Sequence, residues 1–405
     1  MSAAPVEWLD SWDRPVGAAR VAAAFVARWG TAPDGVWSAP GRVNVIGEHT
    51  DYNGGLCLPM ALPHRTYVAL RRRDDDVVRL ASAQEPAAGL ITLDLAEVGP
   101  GTVTGWAAYV AGVAWSLREA GHPVHGFDVV VDSCVPYGAG LSSSAALESA
   151  VAVALDDVHE LGLASSDAGR ARLAEICIRA ENEIAGAATG GMDQSASLRC
   201  RAGHALLLDT RDGSTRHIPL DLATHGLALL VIDTRAEHQL ADGQYASRRA
   251  VCEAAADTLG VTTLREVTDL DAALARLGAA PDADTVARRV RHVVTEIARV
   301  EQVVALLDAD AVDQLGAVLS TAHASLRDDY EVSCPELDLA VDAAVRAGAL
   351  GGRMVGGGFG GSAIALVRLE DAEPVAAAVA QAFADAGWSA PAFLVAQAAD
   401  PAGRD

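Results

Sequence analysis

Residues 136–148 read PYGAGLSSSAALE. The run follows 126–132 (GFDVVVD), whose β-branched residues predict a strand, and enters an Ala-rich segment, 142–162, that predicts a helix. Gly138 and Gly140 remove side chains from the connection and let a ligand approach the backbone. Ser142, Ser143 and Ser144 then offer hydroxyls and unpaired N–H groups at a helix start, where the macrodipole carries about half a positive charge. A phosphate group suits such a place. The alternative is a Gly turn with an ordinary Ser N-cap. Three consecutive serines exceed what capping needs, which favours the phosphate.

That cradle works without lysine, because all 31 basic residues of the 405 are Arg. A Walker A loop, a protein-kinase strand lysine and Schiff-base chemistry are therefore excluded. The 54 acidic residues leave a net charge of −23, which argues against a general nucleic-acid binder and against an anionic membrane surface. Apolar residues at 51% supply a packed core, and the length suggests two or three domains. The six cysteines show neither zinc-site spacing nor the density of a disulfide scaffold. Residues 1–13 carry three acidic side chains and no long apolar run, so no signal peptide is expected there. Apolar stretches such as 227–232 are far short of a membrane span. A cytoplasmic protein with free thiols is the expectation.

Further helices are predicted at 15–29, 105–120, 166–185, 245–258, 284–309 and 371–386. Further strands are predicted at 66–72, 204–209, 227–233 and 362–369. Strands and helices interleave, but no G-x-G-x-x-G follows the first strand. The pattern favours an α+β fold over a doubly wound dinucleotide fold. The polar, turn-rich stretch 201–225 reads as the interdomain region.

Two more loops carry candidate chemistry. Residues 40–51, PGRVNVIGEHTD, group Arg42, Glu48, His49 and Asp51 between glycines. Ionised carboxylates accept several hydroxyl hydrogen bonds and suit a polyol. A solvated loop of local Asx turns is an equal reading from spacing alone. Residues 351–361, GGRMVGGGFGG, hold seven glycines in eleven positions. Such a run makes room for a ligand or another backbone, or else is a flexible connector; the strand-like run after it speaks against the connector. Asp193, behind a Gly pair in TGGMDQSAS (189–197), is a candidate base, and Glu181 on a helical stretch could face a metal. A lone Asp or helical Glu is more often simply surface.

Taken together, these segments resemble the GHMP small-molecule kinases, and among them the galactose-phosphorylating branch. The resemblance runs through GRVNVIGEHTDYNGGLCLPMAL (41–62), the 136–145 loop, ENEIAGAATGGMDQ (181–194), GQYASRRAVCE (243–253), SLRDDYEVSCPELD (325–338) and the 351–361 loop. It spans residues 36–367, nearly the whole chain. It implies two GHMP kinase domains, residues 1–210 and 211–405, with the active site in the cleft between them. It implies ATP-dependent phosphorylation of D-galactose at the C1 hydroxyl, giving galactose 1-phosphate and ADP.

Carried over by position, the resemblance makes Asp193 the catalytic carboxylate and Arg42 its partner, stabilising charge on the transferred phosphoryl group. Arg42, Glu48, His49, Asp51, Gly190, Asp193 and Tyr245 would contact galactose. Gly138, Ala139, Gly140, Leu141, Ser142, Ser143 and Ser144 would wrap the ATP phosphates, and Ser143 and Glu181 would reach Mg²⁺. Galactose and ATP are the implied partners of a monomer, with no nucleic acid and no membrane. Val355 stands where the family commonly has Thr, Ser362 where it has Cys, and Ala139 where Gly is frequent. Rival readings are a kinase for a related sugar such as N-acetylgalactosamine, and a catalytically silent galactose/ATP sensor. The uninterrupted SSSAA (142–146) and the presence of Asp193 speak against the sensor.

Overall fold

The computed structural model of the protein describes residues 4–187, 189–236, 241–278 and 282–405. Its first layer is a six-stranded sheet in the order Gly403–Arg404, Gly35–Asn44, Pro59–Arg72, Phe127–Ser133, Val77–Ser82, Ile91–Asp94. Alternation along Phe127–Ser133 sends Val129 and Val131 to one face, where they pack with the apolar sides of the helices Trp106–Glu119, Ser143–Val158 and Asp167–Ala180. On the opposite face Val130 meets Val21 and Phe25 of the helix Arg14–Trp29. Its neighbours Asp128 and Asp132 are buried beneath arginines.

A second sheet of five strands runs Glu7–Trp8, Ala392–Ala396, Leu227–Asp233, Ser362–Arg368, Gly351–Met354. Leu227–Asp233 is apolar almost throughout and buried throughout, as a central strand covered on both faces requires. The helices Ala283–Asp308, Leu315–Ala324, Pro335–Arg346 and Ala372–Ala386 contribute to the same core. The chain ends cross over. Glu7–Trp8 pairs with Ala392–Ala396 in the second sheet, and Gly403–Arg404 pairs with the first-sheet strand Gly35–Asn44. The segregated helices and mixed sheets make this the expected α+β architecture.

Several sequence expectations need correction. Residues 40–44 are not loop; they finish the strand Gly35–Asn44, with the register shifting between Pro40 and Arg42. A bulge of that kind accommodates a proline, which cannot donate to the ladder. Residues 351–354 are likewise strand, and the glycine-rich turn proper begins after Met354. The stretch 201–225, read as polar and turn-rich, is largely sheet: it forms the hairpin His204–Asp209/Thr215–Pro219, completed by Leu56–Cys57 into three strands. The 166–185 helix stays α-helical only to Ala180 and passes into a π-turn at Glu181–Ala185, and the 142–162 helix ends at Val158. Ala188, within the 181–194 segment, lies outside the described residues, as does 237–240 just ahead of the helix Ala241–Leu259.

Candidate active site

The 40–51, 181–194 and 351–361 segments converge on one cavity of about 150 Å³, lined by residues that include Arg42, Glu48, Asp51, Asp193, Tyr245 and Gly356, and the 136–145 loop adjoins it through Arg42. Close backbone approaches bring them together. A Cβ on Gly41 would stand 2.6 Å from the Leu141 carbonyl, so the absent side chain lets the 136–145 loop lie directly on the strand. Gly358 makes the same allowance for the Val332 carbonyl, which a Cβ would meet at 2.1 Å. Ser362 donates from Oγ to the Ala139 carbonyl at 2.7 Å, tying the second sheet to the 136–145 loop. Val355 is 1% exposed and packs in the apolar core.

Asp193 opens the helix Met192–Arg199. Arg42 grips it through Nε to Oδ1 and Nη2 to Oδ2, both at 2.8 Å. The remaining terminal nitrogen of Arg42 donates to the Gly140 carbonyl at 2.7 Å. Burial alone would lower the Arg42 guanidinium, but Asp193, Glu48 and Asp51 outweigh it and hold it above its ordinary value. The Asp193 side chain is 23% exposed against 6% for Arg42, so the carboxylate faces outward and the cation backs it.

Ser142 is not an ordinary N-cap. It occupies the N-cap position of Ser143–Val158 with φ 61°, and its side chain makes no capping bond. Its hydroxyl donates instead to Asp193 Oδ2. A non-glycine residue held in the left-handed region, with its hydroxyl turned away from the helix, points to a function other than capping. Gly138 and Gly140 also have positive φ, and open space lies beside Gly138. The first N–H groups of a 16-residue helix therefore open into a roomy loop, the arrangement that receives an anion.

Acidic and aromatic side chains form the other wall. The Asp51 carboxylate sits against Gly190, where a Cβ would fall 2.0 Å from Oδ2. Burial, then Asp193 and Glu48, push Asp51 up to about 7. Glu48 Oε1 accepts from the Gly356 N–H at 2.8 Å and lies 3.1 Å from Nη2 of the fully buried Arg353. Tyr245 reaches the wall from Ala241–Leu259, with its ring 5.5 Å from that of His49.

Behind Asp193, Gln194 donates from Nε2 to Glu181 at 2.5 Å and to Glu148 at 3.1 Å. Burial, then Asp193, push Glu181 up to about 7. Burial and Glu181 drive Glu148 well above the usual carboxylate range. Among the described residues no group of three or more His, Cys, Asp or Glu side chains could hold a metal ion by itself. Two carboxylates with neighbouring hydroxyls instead suit Mg²⁺, which takes one or two protein oxygens and completes its shell with phosphate and water. The excess negative charge around Glu181 is what such an ion would relieve.

Residues 23–72 match the galactokinase galactose-binding signature, 108–201 the GHMP kinases N-terminal domain and 303–385 the GHMP kinases C-terminal domain. A galactokinase of Streptomyces coelicolor is 56% identical over 369 residues, covering 91% of this chain and 93% of that protein. The chain belongs to the galactokinase family. A galactokinase of Mycobacterium tuberculosis is 46% identical over 356 residues, covering 88% of this chain and 95% of that one. The crystal structure of Lactococcus lactis galactokinase complexed with galactose superposes with a TM-score of 0.87 at 31% identity, covering 95% and 98% of the two chains. Methanococcus jannaschii mevalonate kinase shares the fold, with a TM-score of 0.60 at 16% identity and coverage of 90% and 98%.

Within this galactokinase-family fold, Arg42, Glu48, His49, Asp51, Asp193 and Tyr245 line the cavity, and Gly190 lies directly behind Asp51. Residues 138–144 form the adjoining rim through Arg42 and Ser142. Of the two residues expected to reach the metal, Glu181 lines the cavity and Ser143 opens the helix Ser143–Val158, next to the Ser142 that bonds Asp193. Sequence reasoning missed Gln194, Glu148 and Arg353. Gln194 and Glu148 had only their place beside named motifs to signal them, and Arg353 lay in a run read for its glycines alone.

Proposed function

We propose that this galactokinase-family chain transfers the γ-phosphoryl group of ATP to the C1 hydroxyl of D-galactose, releasing galactose 1-phosphate and ADP. The observation that carries the proposal is the doubly bonded Arg42–Asp193 pair, set between the carboxylate-lined cavity and the 136–145 loop. Glu48, His49, Asp51, the Gly190 backbone and Tyr245 hold the sugar. A site built on such hydroxyl partners rejects an analogue that lacks the right hydroxyl.

Asp193 orients the C1 hydroxyl and takes its proton as the oxygen bonds to phosphorus. Arg42, shared between Asp193 and the loop, places positive charge where the phosphoryl group passes. Phosphoryl transfer runs through a loose transition state, so such positioning and charge stabilisation dominate the rate. The N–H groups of residues 138–144 and the start of Ser143–Val158 hold the ATP phosphates. Glu181, with Ser143 or Ser144, holds Mg²⁺, which when bound neutralises the phosphate oxygens. We place the division between the two kinase domains near residue 210. We assign the protein to the cytoplasm: its six cysteines are all unpaired, as a reducing compartment favours. No helix of the described residues is long and apolar enough to cross a membrane.

ADP release with Mg·ATP tests the proposal, using D-galactose beside D-glucose, N-acetylgalactosamine and mevalonate. Turnover confined to galactose and its close deoxy analogues supports it. Saturable galactose binding without turnover would overturn it.

A further inference from the structure

His49 is joined to a buried chain of hydroxyl and thiol groups that the reaction as described does not use. Its Nδ1 lies 2.8 Å from the Tyr52 hydroxyl, which lies 2.8 Å from the Tyr330 hydroxyl, which lies 3.2 Å from Cys252 Sγ. His49, Tyr330 and Cys252 are each less than 5% exposed. The chain links the turn that carries His49 and Tyr52 to Tyr330, which follows the Ser325–Asp329 π-turn, and to Cys252 on Ala241–Leu259. The other ring nitrogen, Nε2, is buried without a hydrogen bond of good geometry; the Gly357 backbone stands near the ring, and both line the cavity. The backbone around the ring is fixed: His49 has φ 61°, and Asn53 Nδ2 donates to its carbonyl at 2.9 Å.

Each member has one proton to give, so the chain runs in one of two directions. Either His49 Nδ1–H starts it and Tyr330 ends it on the thiol sulfur, or the thiol starts it and Tyr52 ends it on Nδ1. The two ends agree on the direction. At the His49 end a phenol is the more acidic donor and imidazole nitrogen the more basic acceptor. At the Cys252 end the sulfur is a weak acceptor, whereas its S–H can still donate. Burial supports the count of protons, holding both phenols well above and His49 well below their ordinary values, so all three are neutral.

We infer that Tyr52, backed by Tyr330 and Cys252, fixes His49 as the Nε2–H tautomer, so that the ring presents a hydrogen-bond donor to a hydroxyl oxygen of the sugar. The tautomer of a histidine is set by the bond its other nitrogen makes. Tyr52 is thus a positioning residue for sugar recognition, acting through His49. A preset donor discriminates among substrates because a sugar lacking an acceptor at that place leaves a buried N–H unpaired. The inference rests on the reading of His49 as a sugar contact, and the test separates the two.

The test is ring-nitrogen NMR of the full chain labelled with ¹⁵N-histidine, with saturating galactose and no ATP, beside steady-state kinetics. The wild type is expected to show His49 protonated at Nε2 only. Tyr52→Phe keeps the ring and removes the hydroxyl; it is expected to give a mixture of tautomers and a galactose KM raised about five- to tenfold, with kcat little changed. Cys252→Ser keeps a donor and is expected to keep both the tautomer and the KM. A wild-type signal from the Nδ1–H tautomer, or a Tyr52→Phe variant with unmoved tautomer and KM, overturns the inference. In either case a raised KM in His49→Ala leaves the sugar-contact reading standing. An unchanged galactose KM in His49→Ala overturns that reading and the inference with it.

Discussion

Arg42 meets Asp193 edge to edge, with two parallel bonds of 2.8 Å, while its third donor holds the Gly140 carbonyl at 2.7 Å. One planar cation thereby fixes the distance between the proposed catalytic carboxylate and the phosphate-binding loop. Lysine keeps the charge but not the fork. Arg42→Lys is expected to lower kcat about 10²-fold, the scale of an ångström-sized misplacement. The galactose KM should move much less. A kcat near wild type in steady-state assays would show that the geometry of the pair does not matter.

Gly190 tests the sugar wall without replacing a charged side chain. A methyl there would overlap Asp51, 2.0 Å from its Oδ2, and the carboxylate would have to turn away. Gly190→Ala is expected to raise the galactose KM at least about tenfold, since one good charged hydrogen bond contributes about 1.5–3 kcal/mol. ATP KM and melting temperature should stay close to wild type. Calorimetric titration with galactose checks the first, and thermal melts the second.

The pH dependence of stability follows from Asp51. Its folded value of about 7, raised by burial and by Asp193 and Glu48, lies above the roughly 3.9 of an unfolded aspartate. A raised carboxyl binds its proton more tightly in the folded state. Its contribution to stability is therefore complete below about pH 4 and is lost as pH rises through about 7. Asp51→Asn removes that loss. In galactose-free buffer the variant should gain on the wild type in melting temperature between pH 5 and pH 8. Glu181, also near 7, titrates in both proteins, so the difference isolates Asp51. A difference that is flat across the window would contradict the assignment.

Asp128 carries the opposite sign. It is fully buried, with Arg79 at 2.6 and 2.8 Å, Arg71 at 2.6 Å and Arg73 at 3.3 Å. Burial alone would raise its carboxyl, but the arginines prevail and hold it below the ordinary value. Its stabilisation is present above about pH 4 and is lost as pH falls through the lowered value. Asp128→Asn leaves the partly buried Arg71 and Arg79 without their carboxylate, while Arg73 keeps Asp75, and should cost about 3 kcal/mol at pH 7 in urea unfolding. That cost should shrink towards pH 3.

Much of this was legible in the sequence. The 126–148 stretch signalled a strand, a glycine turn and a helix through local patterns, and the lysine-free composition narrowed how a phosphate could be held. The strand Gly35–Asn44 was hidden because Pro40 and Gly41 are turn residues; the bulge that tolerates them exists only once Pro59–Arg72 pairs alongside. The helix Pro335–Arg346 had its signals in view, with proline at its first position, Glu336 and Asp338 in the first turn, and Leu337, Ala340, Val341 and Ala344 along one face. What no local pattern contained were the pairings made by folding. Ser142 on Asp193, Arg353 on Glu48 and Tyr330 on Tyr52 join residues from distant segments. Gly358, in a run expected to make room for a ligand or another backbone, makes room for the Val332 carbonyl.

The most direct test of the account is turnover of D-galactose by Asp193→Ala, read as ADP release with Mg·ATP, alongside galactose binding by calorimetry. A fall in kcat of about 10²–10⁴-fold, with a cooperative melt and retained sugar binding, is the predicted result. Near-normal turnover would contradict it and move the chemistry away from the Arg42–Asp193 pair.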